Sequence, residues 1–221
     1  MIWKRTRHSH RGKQDAQEKA TKLADLEMLQ WAAAAGEIDL FYLDESGFCL
    51  WMPVEYSYFF QGEQKRLEQT ERKGRRISIL GLWQPFVSFI YSLVVGSFDS
   101  ERYIMMMDEQ ARQARPQFEA AGRLRVIVQD NGSIHTSKSV QAKWADWETQ
   151  GLYCFFLPKY CSELNLIETE WHQLKTHQLR GQMFEDELDL AYAVIDGVDA
   201  RAEAGGYPAE RFRFPSKLAP S

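Results

Sequence analysis

The chain has 221 residues, 44% of them hydrophobic, and a formal net charge of −4. That length supports one sizeable core rather than two, and no apolar run reaches the roughly 18 residues of a membrane span. The acidic balance excludes a wholly basic nucleic-acid binder, and the basic N-terminus lacks the apolar stretch of a secretory signal. Cys49, Cys154 and Cys161 are odd in number and widely spaced, so they read as reduced thiols of a cytoplasmic protein.

Gln14 to Ala35 lacks Gly and Pro and repeats Ala16, Ala20, Leu23, Leu26, Leu29 and Ala33 near helical spacing, with Gly36 as the stop. A strand follows from Ile38 to Asp44, and Gly47 to Pro53 reads as a second extended piece. Tyr56 to Gly74 is polar and reads as a loop or insertion. Arg76 to Trp83 and Val87 to Phe98 form a predicted hairpin pivoting on Gln84-Pro85. Ser100 to Ala121 is a predicted helix with Ser100 as N-cap and Gly122 past its end. Arg123 to Asp130 is the next strand, Thr136 to Gln150 a helix closed by Gly151, and Leu152 to Leu157 a strand ended by Pro158. Leu164 to Arg180 and Glu185 to Ala204 are the last helices, and the tail from Gly205 reads as irregular. Hairpin-linked strands followed by βαβ units imply an α/β fold, a mixed β-sheet flanked by helices.

Three acids stand out. Asp44 closes one apolar run, Asp130 closes another and is followed by Asn-Gly-Ser-Ile-His, and Glu168 opens a helical pattern. By the period of two, Ile38, Leu40, Tyr42 and Asp44 share a strand face, as do Leu124, Val126, Val128 and Asp130. If those strands are parallel neighbours, about 4.8 Å apart, both aspartates meet at their carboxyl ends, where open α/β sheets place ligands. In the later helix Leu164, Ile167, Trp171 and Leu174 form the apolar stripe, and Glu168, His172 and Lys175 the adjacent one, which directs Lys175 toward a phosphate. Asn165 is placed to cap that helix. Trp83, Trp144, Trp147 and Trp171 read as core.

Leu-Asp-Glu-Ser-Gly-Phe at 43–48, Asp-Asn-Gly-Ser-Ile-His at 130–135 and Leu-Pro-Lys-Tyr-Cys-Ser-Glu-Leu-Asn-Leu-Ile-Glu-Thr-Glu-Trp at 157–171 resemble the DDE transposases of bacterial insertion sequences, in the mariner-like superfamily. Trp-Lys-Arg-Thr-Arg at 3–7 is similar to the linker that enters that catalytic domain, and the resemblance runs from about residue 3 to about residue 175. It implies a ribonuclease-H-like fold and DNA strand cleavage and joining with two Mg²⁺ ions, Mn²⁺ substituting. It assigns Asp44, Asp130 and Glu168 as catalytic metal ligands, and Asn131, His135 and Asn165 as supports of the site. The implied organisation is a basic arm and linker helix over 1–36, the catalytic domain over 37–205 and an irregular tail over 206–221. The family's N-terminal helix-turn-helix region has no counterpart in the sequence, and Ser162 and Leu166 stand where the family usually has proline.

Double-stranded DNA is the expected partner, with a homodimer on paired ends by analogy and no membrane. Lys4, Arg5, Arg7, Arg11 and Lys13 form a basic arm with no acid before Asp15; Arg72, Lys73, Arg75 and Arg76 form a second cluster, and Lys175 joins them as a DNA-binding candidate. Glu163 competes with Glu168 as third acid, and Glu45, which could tune Asp44, is expected rather to be solvated. Clustered carboxylates without metal repel one another, so at least one pKa should be raised. The rival readings are a ribonuclease-H-like nuclease that only hydrolyses and a catalytically silent DNA-binding or regulatory fragment.

Overall fold

The computed structural model describes residues 11–52 and 74–215. A 3-10 turn at Arg11–Lys13 leads into helix α1 (Ala16–Ala34), which Asp15 caps by accepting the Gln17 and Glu18 amides. Strands β1 (Ile38–Phe48), β2 (Ile77–Gln84) and β3 (Ser88–Val95) come next, then α2 (Ser100–Ala121), β4 (Leu124–Gln129), α3 (Lys138–Thr149) and β5 (Leu152–Phe156). After a 3-10 turn at Ser162–Leu164 come α4 (Ile167–Gln173), a π-helical turn (Leu174–Gln178), α5 (Glu187–Gly205) and β6 (Ala209–Arg211).

The six strands form one sheet in the order β5-β4-β1-β2-β3-β6. β1 is antiparallel to β2 and β2 to β3, while β4 lies parallel to β1 and β5 parallel to β4. The expected mixed sheet is therefore present, with the two aspartate-bearing strands as parallel neighbours. Period-two alternation divides the core into two layers. Leu40, Tyr42, Val126, Val128, Ile79 and Trp83 face one side with residues of α1, α4 and α5. Phe41, Leu43, Ile127, Leu80 and Leu82 face the other with α2 and α3.

Local differences from the sequence reading each have a physical reason. β1 does not stop at Asp44: Asp44 to Phe48 pair with β2 from Gly81 back to Ile77, so the hairpin partner extends the strand through the stretch expected to begin a separate piece. Beyond it, Trp51 makes only an isolated bridge to Met183. The N-cap of α2 is Asp99, not Ser100; its carboxylate accepts the Arg102 amide at 2.8 Å, while the Ser100 hydroxyl donates to Ile134 O. Gly122 ends α2 in the left-handed region, at φ 67°. The helix expected over Leu164 to Arg180 is divided into 3-10, α and π turns, and its π turn closes with Leu179 N–H donating to Leu174 O. The tail expected to be irregular instead contributes β6, parallel to β3 at Phe89 to Tyr91, and Phe212 N–H continues the ladder to Tyr91 O. The polar stretch Tyr56 to Gly74 lies outside the described residues except for Gly74.

Candidate active site

The last paired residues of β1 and β4 are Tyr42 and Val128, and two residues further along each strand come Asp44 and Asp130. Asp44 continues the alternation of Leu40 and Tyr42 and so occupies the face covered by α4. Asp130 has left the strand and enters a turn in which its Oδ1 accepts the Gly132 amide at 2.8 Å and faces His135 Nδ1 at 2.9 Å. The Asn131 amide donates to Leu157 O, tying the end of β4 to the end of β5.

Glu168 sits in the first turn of α4. The element is fixed to β1 by Asn165, whose Nδ2 donates to Leu43 O at 2.9 Å beside Asp44. Asn165 is thus not the side-chain cap expected from the sequence: it is buried, it closes the preceding 3-10 turn, and its side chain is spent on the strand. Leu166 occupies one of the two missing-proline positions with φ −63° and ψ −26°, and Asn165 before it is extended, so the backbone already adopts the shape proline prefers. Leu166→Pro is expected to stabilise the chain by about 0.5–1 kcal/mol through the unfolded state, read as a melting-temperature gain of about 1–3 °C. A fall in melting temperature would contradict it.

Electrostatics link the three acids. Burial, then the charges of Glu168, Glu45 and Asp130, push the Asp44 carboxyl up to about 7. Burial also raises Glu168, with Asp130 adding to it and Lys175 opposing it. Asp130 goes the other way: the hydrogen bond from His135 holds its carboxyl below the ordinary range. Burial alone would depress the His135 imidazole, but its contacts with Asp130 and Glu45 outweigh that and lift it to about 9. At neutral pH His135 is therefore a buried imidazolium, with Nε2 3.4 Å from Glu45 Oε1. Glu45 is not simply solvated as expected; it faces away from Asp44, being one residue along the strand, and reaches His135 on the opposite side of the sheet.

The His135 ring packs on Tyr103 of α2 at 4.8 Å between centroids, and the Tyr103 hydroxyl donates to Gln129 Oε1 at 2.7 Å within the core. Tyr103→Phe strands that buried acceptor, so it should cost about 1–2 kcal/mol. Thermal melting should record a loss of about 3–6 °C; an unchanged melting temperature would show that the bond contributes nothing.

Glu163, the competing acid, is occupied elsewhere: Lys19 of α1 contacts it at 2.5 Å and Gln14 donates to it at 2.9 Å. Of the basic candidates, Lys175 lies over the Phe48 ring at 5.5 Å, its pKa lowered by burial and supported by Glu168 and Asp44. Arg76 spreads its guanidinium over Gly47 and bonds Ser78, Arg75 meets Glu187 at 3.5 Å, and Lys13 stands over the Tyr160 ring. Arg11 opens the first 3-10 turn; Lys4, Arg5, Arg7, Arg72 and Lys73 lie outside the described residues. Trp171, placed in the core stripe by the sequence, is buried there, yet its indole N–H donates to Asp44 Oδ2 at 3.1 Å. The adjacent Glu170 is buried and held by two bonds from Arg201 of α5, at 2.7 and 2.9 Å. Neither contact leaves a trace in local sequence, since both partners come from distant elements.

Among the described residues no three His, Cys, Asp or Glu side chains converge closely enough to hold an ion as they stand. The donor chemistry nevertheless suits a hard divalent cation: the candidate ligands are all carboxylates, and burial first, then the neighbouring carboxylates, raises Asp44, a penalty that a cation would relieve. No helix among the described residues is long and apolar enough to cross a membrane.

No curated protein sequence matches this chain significantly. Among solved structures it is similar to the Mos1 mariner paired-end complex with Mg (TM-score 0.65, 16% identity, 91% of this chain and 60% of that one). It is also similar to the Mos1 strand transfer complex (0.61, 16%, 93% and 64%) and to the Mos1 catalytic domain (0.56, 14%, 92% and 95%). The chain thus spans less than two thirds of the length of the Mos1 chains in those two complexes, and nearly all of the isolated catalytic domain. At such identities the likeness concerns the fold, a ribonuclease-H-like mixed sheet flanked by helices. The sequence profile of the DDE superfamily endonucleases matches residues 39–191, from the first strand into the last helix, and this chain belongs to that family.

Proposed function

We propose that this chain is the catalytic domain of a bacterial insertion-sequence transposase, which cuts DNA at the element's ends and joins the freed ends to a target. The observation that carries the reading is the placement of Asp44 and Asp130 at the carboxyl ends of two adjacent parallel strands, with burial and then the charge of Glu168 raising the Asp44 pKa. The solved Mos1 structures include complexes with a transposon end, with Mg and with Mn, which supports the same chemistry here by analogy.

Asp44, Asp130 and Glu168 would hold two Mg²⁺ ions, or Mn²⁺ in their place. Such ions supply an activated water and stabilise the leaving oxygen of an in-line displacement at phosphorus. The protein's own residues set up that exchange. His135 donates its Nδ1–H to Asp130 and so keeps that carboxylate ionised and aimed. Asn165 fixes the start of α4 against β1, and Asn131 fixes the Asp130 turn against the end of β5. Lys175 and Arg76 flank Phe48 and Gly47, just beyond Asp44, where cationic side chains attract the phosphates on either side of the scissile one. Arg75, Arg72, Lys73, Lys13 and the basic arm of Lys4, Arg5, Arg7 and Arg11 extend that contact along the duplex. In strand transfer the freed 3′-hydroxyl takes the role of water as nucleophile, so one set of carboxylates serves both steps and no covalent protein intermediate forms. A homodimer bridging two ends completes the reading.

The test is nicking and strand transfer on a labelled duplex and on precut ends with Mg²⁺ or Mn²⁺, wild type against Asp130→Ala. Metal-dependent cutting and joining, both lost in the variant, is the expected result. Cutting without joining would leave a hydrolytic nuclease, and DNA binding without either would leave a silent binding fragment.

A further inference from the structure

We propose that Trp171 is a positioning residue for Asp44, fixing by one rigid side chain both the orientation of the first acid and the place of the third. The inference rests on the reading of Asp44 and Glu168 as metal ligands given above.

In the β1–β2 ladder Gly81 is the direct partner of Asp44, so a side chain there would stand beside that carboxylate on the same face of the sheet. A Cβ at Gly81 would lie 2.5 Å from Cη2 and 2.7 Å from Cζ2 of Trp171, with Phe89 Cζ at 3.0 Å. The six-membered ring of the indole therefore fills the room that glycine leaves. Phe89 of β3 closes this slot edge-on, 5.8 Å between ring centroids at an interplanar angle of 87°. With its ring seated over Gly81, the indole turns its Nε1 to Asp44 Oδ2 at 3.1 Å.

A core tryptophan need not bond in this way. Among the described residues the buried indole nitrogen of Trp144 has no hydrogen-bond partner. The acceptor chosen by Trp171 is a carboxylate already surrounded by acids, and the indole is a donor that never titrates. Engaging Oδ2 leaves Oδ1 of Asp44 for an incoming cation. It also removes the rotational freedom that the carboxylate would otherwise lose on binding.

The second effect runs through the helix. Glu168 and Trp171 are three residues apart on α4, hence neighbours on its surface. Seating the ring over Gly81 sets the height of α4 above β1 and β2, and with it the position of Glu168 relative to Asp44. The buried Glu170–Arg201 pair holds the same turn from the α5 side. Outer groups that orient metal ligands typically cost 10–100-fold in metal affinity when removed.

The experiment measures Mn²⁺ affinity of the full chain without DNA, by titration followed by electron paramagnetic resonance, alongside thermal melting. Trp171→Phe keeps an aromatic ring in the Gly81 slot and deletes the N–H. Phe89→Leu loosens the same packing and leaves the N–H in place. The expected result is Mn²⁺ binding about tenfold or more weaker in Trp171→Phe and within about twofold of wild type in Phe89→Leu, although both melt lower. Equal affinity of folded Trp171→Phe and wild type, or equal weakening in both variants, would overturn the proposal while leaving the metal site intact. Absence of Mn²⁺ binding in the wild type would overturn the site itself and this inference with it. Should Trp171→Phe not fold, indole ¹⁵N–H spectra of the wild type and Asp44→Asn decide. One of the seven tryptophan indole signals should move on Asp44→Asn and respond to Mg²⁺ only in the wild type. If no signal meets both conditions, the proposal fails.

Discussion

Asp130→Ala should lower metal-dependent DNA nicking by about 10³-fold or more while leaving the domain folded. The size follows from the several kcal/mol of transition-state charge stabilisation that a bound divalent cation supplies, since each 1.36 kcal/mol is a factor of ten in rate. The fold should survive because the Asp130 side chain is 53% exposed and lies just past the end of β4, outside the core layers. What the substitution does remove is the stronger of the two partners of the buried His135 imidazolium. Asp130→Asn is therefore the companion variant, retaining an acceptor for the histidine while losing the ligand charge. Both variants should be inactive with wild-type-like circular dichroism. Residual cleavage above a few per cent in either would sink Asp130 as a ligand. Lys175→Ala should behave differently, weakening DNA binding in a salt-dependent way.

The second large effect concerns stability without metal. The Asp44 carboxyl titrates near 7 in the folded chain, against an ordinary value of 3.8. A raised carboxyl means that between about pH 4 and 7 the folded state holds a proton that the unfolded state has lost. Its contribution is fully present below the unfolded pKa and disappears as pH rises through the folded one, so stability falls across that window. Asp44 is only partly buried, which discounts the penalty to about 2–3 kcal/mol above pH 7. Asp44→Asn removes the charge and keeps an acceptor for the Trp171 N–H. Without metal at pH 8 it should melt about 5–10 °C above wild type, with the difference fading toward pH 4. Millimolar Mg²⁺ should raise the wild type and not the variant, because only the wild type gains stability from a bound ion. Coincident melts at pH 8 without metal would mean that the site holds no electrostatic strain.

Local sequence carried most of the architecture. Apolar alternation in β1 and β4 announced two strands leading to Asp44 and Asp130, and the breaks at Gly36, Gly122 and Gly151 bounded helices and strands to within a few residues. Composition and hairpin order sufficed for the mixed sheet because each of these signals is a property of neighbours in the chain. The three acids were legible for the same reason, each being tied to the end of a strand or the start of a helix.

What escaped the sequence depended on partners far apart in the chain. β1 runs on past Asp44 only because β2 lies alongside to receive its hydrogen bonds, and β6 exists only because β3 offers an edge to the tail. Asn165 has the composition of a helix cap, but the packing of α4 on the sheet gives it a closer acceptor in Leu43 O. Glu45 looks solvated until His135 arrives from the β4 turn on the far side of the sheet. Trp171 belongs to an apolar stripe by periodicity, and only the tertiary structure brings its indole over Gly81 and beside Asp44. The sequence by itself determined which side chains carry charge and on which face of a strand or helix each emerges, because backbone geometry fixes that locally. Which acids are buried, which are paired and which pKa values move was decided by tertiary packing alone, since desolvation and Coulomb interaction depend on distance in space rather than along the chain.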